Sequence, residues 1–180
     1  LADGEPTAVA LAIYEQYLPK SATDRLPTTR VGFVLSIADR LDTLLGMFAV
    51  GQTPTATADP LGLRRTALGL VRLLADAPAP VNLDTLMGDA AQVQPLPVDE
   101  ATRRAVRDFV GGRLEQWLRD NGARHDLVQA VLAAQGDNPA GVVKALADLT
   151  AWTQRPDWTP FLTAYARCVR LVRQHAQTFA

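Results

Sequence analysis

The sequence is poor in the residues that most often do chemistry. Its 180 residues hold one cysteine, Cys168, so the chain forms no internal disulfide and no thiolate metal site of its own. Histidine is limited to His125 and His175. These lie far apart in sequence, one at a helix start and one near the end, and read as exposed bystanders rather than acid/base groups or ligands. No HExxH, GxGxxG or GxxxxGK[ST] occurs, which removes the metalloprotease, dinucleotide and P-loop signatures. No apolar run approaches the roughly 20 residues that span a bilayer. No stretch alternates apolar and polar residues between turn signals, so no strand is expected. Lysine is almost absent, with only Lys20 and Lys144. The two methionines, Met47 and Met87, lie far from the start, and the chain reads as an internal piece of something longer.

What is present is ordinary for a folded protein: 48% apolar residues, 21% charged and a net charge of −1. That balance argues against gross nucleic-acid affinity, but its layout is uneven. Arg103, Arg104, Arg107, Arg113, Arg119 and Arg124 crowd one stretch of the second half, and Arg167, Arg170 and Arg173 follow near the end. Guanidinium forks suit phosphate or carboxylate. The bland alternative is a set of solvated helix faces.

Helical periodicity predicts an all-α fold. A first helix over 5–17 puts Ala8, Leu11, Ala12, Tyr14 and Tyr17 near one side and stops at Leu18-Pro19. Thr28 or Thr29 caps a long helix over about 29–49, striped by Val31, Val34, Ala38, Leu41, Leu45 and Phe48. A third helix starts at Asp59-Pro60 and turns Leu63, Ala67, Leu70, Val71 and Leu74 inward. The Pro-rich interval 78–98, holding a short helix near Asn82–Leu86, is the best internal boundary. Beyond it come helices at Glu100–Arg119 (Ala105, Val106, Phe109, Val110, Leu114 and Leu118 inward), 125–135, 138–151 and Trp158–Gln174. Asn121-Gly122 ends the first of these, and Gly111-Gly112 inside it reads as close helix packing or a kink. In the last, Phe161, Tyr165, Cys168, Val169 and Val172 share a side.

Two stretches hold candidate chemistry. Asp39 and Asp42 share a helix face, a repulsive arrangement that needs either arginines from a neighbouring helix or a divalent metal. The ion-paired reading is preferred, since the stretch supplies no further ligands. In the second, Arg64 and Arg65 open a helix that follows a Gly/Pro/Thr-rich loop. There, free backbone N–H groups and the helix dipole would attract phosphate. Pairing of these arginines with Asp39 and Asp42 accounts for them equally well.

The same stretches carry a family resemblance. Thr29-Arg30-Val31-Gly32, then Ala38-Asp39-Arg40-Leu41-Asp42-Thr43-Leu44-Leu45-Gly46, then Gly51-Gln52-Thr53-Pro54-Thr55, then Asp59-Pro60-Leu61-Gly62-Leu63-Arg64-Arg65-Thr66-Ala67-Leu68-Gly69 closely resemble the beta subunit of bacterial glycyl-tRNA synthetase. Ahead of them, Ile13-Tyr14-Glu15-Gln16-Tyr17-Leu18-Pro19 is similar to the family's A-I-x-E-x-Y-x-P. The resemblance is strong over about residues 8–75. It continues more weakly through Asp108-Phe109-Val110, Asp126–Leu132 and Phe161–Val169. Ala166 stands where the family has lysine, and Ala56-Thr57-Ala58 replaces a small-Ser-basic run.

The resemblance implies an HD-superfamily-like helical domain, ending in residues 1–77. The 78–98 connection and a helical subdomain at 99–180 follow, leading toward an anticodon-binding region. Asp39 would match the last Asp of the HD metal pattern, degenerate here and holding no metal. Amino-acid activation, with its ATP and Mg, belongs to the alpha subunit, so no catalytic residue or cofactor is expected in this chain. The expected partners are tRNA-Gly and the alpha subunit or region, with no membrane and no DNA, in the cytoplasm. The leading reading is a tRNA-recognition and scaffold segment using Arg30, Arg64 and Arg65 in the first half and Arg103, Arg104 and Arg107 in the second. A purely architectural module for subunit assembly and a degenerate HD-type metal phosphohydrolase are the alternatives.

Overall fold

A computed structural model describes residues 4–78 and 80–173, and among these every regular element is a helix. In order they are α1 (Thr7–Glu15), α2 (Arg30–Ala49), α3 (Leu63–Ala75), α4 (Leu83–Gln92), α5 (Glu100–Asp120), α6 (His125–Gln135), α7 (Pro139–Thr153) and α8 (Trp158–Arg173). No described helix is long and apolar enough to cross a membrane.

Local chemistry sets most of the starts. Thr29 caps α2 by accepting from the Gly32 N–H, Asn82 caps α4 from Thr85 and Asp99 caps α5 from Thr102. Asn138 caps α7 from Gly141, with Pro139 in the first turn. The α3 start differs from expectation. Residues 59–62 form a turn, Gly62 at φ +67° is the N-cap and the helix begins at Leu63, four residues after Asp59. The short helix of the Pro-rich interval is longer than expected, running to Gln92.

α2 and α3 are the centre of the assembly. α2 packs on α1, α3, α4 and α5, α3 also on α5 and α7, and α6 on α5 and α7. One apolar cluster runs through α2 to α7. It includes Leu44 and Leu45 of α2, Leu70 and Val71 of α3, Met87 of α4, Val106, Val110 and Leu114 of α5, Val128 of α6 and Val142 of α7. The residues on either side of 78–98 therefore share a core, and α4 contributes to it from inside that interval.

Three expected apolar faces are not buried. In α1 only Ala12 and Glu15 are buried, and Leu11, Tyr14 and Tyr17 are exposed. In the first half of α2 Val31 is 63% and Val34 59% exposed, whereas Gly32, Ser36 and Arg40 face inward. The α8 stripe lies on a helix with no buried residue, although Phe161 stands 5.8 Å from Trp152 and 6.1 Å from Trp158. In α5, Ala105 is exposed. A Cβ added at Gly111 or Gly112 would meet nothing within 4 Å, and the helix continues through both. They serve neither close packing nor a break.

The inward face of early α2 is polar because it holds a loop. Glu15 is 3% exposed and accepts from the N–H groups of Thr28 (2.8 Å) and Thr29 (3.0 Å) and from both hydroxyls. Arg40 donates to the carbonyls of Gln16 (3.0 Å), Ser36 (3.0 Å), Tyr17 (3.4 Å) and Pro19 (3.0 Å). Ser36 Oγ donates to the Leu18 carbonyl at 2.6 Å. One carboxylate and one guanidinium thus satisfy the end of α1, the start of α2 and the loop after α1, where unmade bonds to buried backbone would be costly. Two glycines leave the room. A Cβ at Gly32 would lie 2.6 Å from Glu15 Cβ, and one at Gly69 of α3 would lie 2.5 Å from Arg40 Nε.

Candidate nucleic-acid interface

The six arginines expected to contact RNA fall into three places. Arg64 and Arg65 occupy the first turn of α3, Arg103, Arg104 and Arg107 the first turns of α5, and Arg30 the first position of α2. Arg30 borders an apolar groove of about 720 Å³ between α2 and α4, lined by Phe33, Val34, Ile37, Leu86 and Val93 with Asp39, Asp42 and Asp89.

At the start of α5 most of the charge is spoken for. Arg103 pairs with Glu100 at 2.6 Å. Arg107 pairs with Asp84 of α4, whose hydrogen bond pushes the Arg107 pKa above its ordinary value. Arg104 is exposed and makes no ion pair among the described residues.

The start of α3 is not an open anion site. Asp59 Oδ1 accepts from the Leu63 N–H at 2.8 Å and Oδ2 from the Arg64 N–H at 2.9 Å, so the protein's own carboxylate fills the position a phosphate would take. Arg64 donates to the Thr55 carbonyl and lies 4.0 Å from Asp59, fastening the 55–59 loop to the helix. Arg72 likewise donates to the carbonyls of Ser21 (2.7 Å) and Asp24 (2.6 Å). The expected pairing of these arginines with Asp39 and Asp42 does not occur. Neither carboxylate makes an ion pair among the described residues, and Asp42 instead accepts from Gln94 Nε2 at 2.7 Å. Arg64 and Arg72 are spent on loop carbonyls, and Arg65 shares a cavity wall with Asp39 without forming an ion pair among the described residues.

Arg65 has a different setting. It is exposed, makes no ion pair or side-chain hydrogen bond among the described residues, and forms part of the wall of two cavities. One, about 410 Å³, is lined by Tyr17, Lys20, Asp39, Arg40 and Thr43. The other, about 440 Å³, lies between the 21–23 loop, α3 and α5 and includes Arg64, Arg113, Trp117 and Asn121. Arg113 Nε is buried with no hydrogen-bond partner among the described residues. Arg64, Arg65 and Arg113 therefore border one concavity with a single carboxylate, Asp120, which accepts from Gln116 Nε2 at 2.7 Å.

In the sequence Arg113 is only one of a crowd of arginines and is not among the expected RNA contacts, and Trp117 is not singled out. They stand about fifty positions from Arg65, and no local spacing links them. Asp39, which the resemblance would match to an HD metal position, borders the Arg65–Lys20 cavity among cations, and the described residues hold no group of three or more His, Cys, Asp or Glu suited to a metal. The adjacent His125 and Asp126 lie at the surface at the start of α6. Arg124 holds Asp126 at 2.6 Å, and His125 lies 4.0 Å from Glu115. His175 falls outside the described residues.

Residues 1–133 match the family model described as glycyl-tRNA synthetase beta subunit. Among similar proteins, the glycine–tRNA ligase beta subunit of Syntrophus aciditrophicus is 38% identical over 174 residues, covering 95% of this chain and 25% of the relative. The chloroplastic/mitochondrial glycine–tRNA ligase 2 of Arabidopsis thaliana is 40% identical over 173 residues, covering 96% of this chain and 16% of the relative. The beta subunit of Sodalis glossinidius is 43% identical over 139 residues, 77% of this chain and 20% of the relative. The chain spans a quarter or less of the length of these relatives.

Proposed function

The chain belongs to the glycyl-tRNA synthetase beta subunit family, and from that premise we propose that it is a tRNA-recognition and scaffold segment supporting ATP-dependent attachment of glycine to tRNA-Gly. The observation that carries the reading is the concavity bordered by Arg64, Arg65 and Arg113, in which Arg65 and Arg113 have no carboxylate partner among the described residues. Guanidinium groups not spent on internal ion pairs are free to neutralise phosphate. Arg104 and Arg30 add exposed positive charge at two further places. Arg64, Arg103 and Arg107 first serve the fold and supplement binding through their remaining donors.

On this reading the segment does no chemistry. Activation of glycine, with its ATP and Mg, resides on the alpha subunit or region, in the cytoplasm, and neither membrane nor DNA is a partner. Residues 1–77 form the end of an HD-like helical domain and residues 99–180 a helical subdomain leading toward the anticodon-binding region. Asp39 is what remains of a metal position.

The architectural reading is favoured by a separate observation, the groove between α2 and α4. Its walls are apolar, Val34 and Val93 on it are exposed, and Arg30 is the one arginine among its lining residues. An exposed apolar patch of this kind marks a protein contact rather than an RNA contact. The two readings assign different faces and coexist.

The test is binding of the chain to tRNA-Gly and to a non-cognate tRNA by fluorescence anisotropy at low and moderate salt. Affinity should fall steeply with salt, and Arg64→Ala with Arg65→Ala should reduce the slope of log K against log salt by about two. Absence of binding at low salt would refute direct contact and leave the architectural reading in front.

A further inference from the structure

The cavity between the 21–23 loop, α3 and α5 has a chemistry that a convex duplex backbone does not need. It is concave, about 440 Å³, within the range of small-ligand pockets. Two of its arginines are free of carboxylates, Arg65 and Arg113. Trp117, half-buried, is a lining residue of the same cavity. Asn121 borders it as well, its side-chain nitrogen donating to the Trp117 carbonyl at 2.7 Å. The amide oxygen of Asn121 makes no bond among the described residues and remains available to a ligand donor.

Phosphate-binding forks beside an indole match a phosphate joined to a planar base. RNA-binding proteins recognise unpaired nucleotides by packing the base on an aromatic ring and the phosphate on basic groups, whereas a paired base stays in its stack. We propose that this cavity binds one unpaired nucleotide of an RNA strand, with the phosphate on Arg65 and Arg113 and the base against Trp117. The inference rests on the tRNA reading above and deepens it, because it makes the chain respond to a displaced nucleotide and not to backbone charge alone. The half-buried indole otherwise serves only to pack against the core. The neighbouring cavity that shares Arg65 also has one carboxylate, Asp39, and its Arg40 is already spent on backbone carbonyls, which makes it the poorer place for an anion.

Trp117 is its own reporter. In the 180-residue chain carrying Trp152→Phe and Trp158→Phe it is the one tryptophan left. A single-stranded RNA pentanucleotide, a blunt RNA duplex and adenosine monophosphate are each titrated while tryptophan emission is followed. The pentanucleotide should quench the emission saturably and bind at least tenfold more tightly than the mononucleotide or the blunt duplex. In the chain with all three tryptophans, Trp117→Leu should weaken the pentanucleotide about tenfold, as read by anisotropy of a labelled strand. Trp117→Tyr should restore most of that loss, and Arg113→Gln should weaken the strand with the thermal melt unchanged.

Equal binding of blunt duplex and single strand, or a Trp117→Leu chain that melts as the parent does and binds the strand equally well, overturns the pocket. Tight binding of the mononucleotide alone overturns the RNA strand as the source. If tRNA-Gly binds in a salt-sensitive way while the pentanucleotide leaves emission unchanged, the pocket falls and the backbone reading stands. If tRNA-Gly does not bind at all, both fall.

Discussion

Glu15→Gln tests how much of this fold depends on one buried carboxylate. The substitution keeps the shape and removes the charge. Burial alone would push the Glu15 pKa up, but the hydroxyls and amides of Thr29 and Thr28 outweigh it and hold the carboxyl at about 2, against an ordinary 4.5. At about 1.4 kcal/mol per pH unit, that difference corresponds to about 3 kcal/mol of stability carried by the ionised form. Geometry adds to the loss. Each carboxylate oxygen accepts one backbone N–H, from Thr28 or Thr29, so the amide nitrogen of Gln must face a donor that cannot turn away. Urea unfolding followed by far-ultraviolet circular dichroism should give a loss of about 3 kcal/mol or more at pH 7. The folded pKa lies below the unfolded one, so the contribution is complete above pH 4.5 and shrinks as pH falls toward 2. At pH 3.5 the gap between parent and variant should have narrowed by about 1 kcal/mol. A loss under about 1 kcal/mol at pH 7, or a gap equally wide at both pH values, would refute the account.

Gly69→Ala places a methyl group 2.5 Å from Arg40 Nε, and Arg40 is held by four backbone carbonyls and cannot withdraw. Thermal melts should show a loss of about 1–3 kcal/mol in spite of the roughly 1 kcal/mol that alanine gains in a helix. In a double-mutant cycle with Arg40→Met the two losses should be strongly non-additive, and a stabilised Gly69→Ala chain would show that the contact is slack. Asp59→Ala removes the acceptor of two N–H groups at the start of α3 and should cost about 1–2 kcal/mol in urea unfolding. Because it also takes a carboxylate away from Arg64, tRNA binding at low salt should stay level or tighten. A large loss of binding in a chain that still folds would assign Asp59 to the RNA surface.

Helix starts were legible where a short polar side chain stands immediately before an apolar period. Thr29, Asn82 and Asn138 each accept from the N–H three residues on. The helices after Thr29 and Asn138 lie close to the expected ranges, while α4 starts as expected and runs on to Gln92. The apolar pattern failed where the buried face is polar. Ser36 and Arg40 carry no hydrophobic signal, so the stripe through Val31 and Val34 looked like the inward face of α2, although both are exposed. Glu15 was hidden for the same reason. Its burial depends on Thr28 and Thr29, thirteen and fourteen residues away, and no local rule buries a lone carboxylate. The family resemblance was legible over the first half from ordered motifs, and the match over residues 1–133 extends it. The Arg65 cavity was half legible. The arginine pair at the start of α3 stood out, but Arg113 and Trp117 join it only through the packing of α3 on α5.

The residues that carry the resemblance divide by what they touch. Glu15 holds the start of α2, and Arg40 holds the loop that follows α1. Gly32 and Gly69 leave space for those two side chains, and Asp59 with Arg64 closes the turn into α3. These motif positions are explained by buried backbone that would otherwise lack partners, so a match at them transfers the fold and says little about RNA. Arg65 and Arg30 are the exceptions among the motif's arginines, since no ion pair or side-chain hydrogen bond among the described residues uses their charge, and an arginine without an internal task stays solvated and available to phosphate. Charge density alone would have ranked the start of α5 higher, but Glu100 and Asp84 neutralise two of its three arginines. The difference between the sites lies in which guanidinium groups the fold has already used, and it leads to Arg65 and the wall it shares with Arg113.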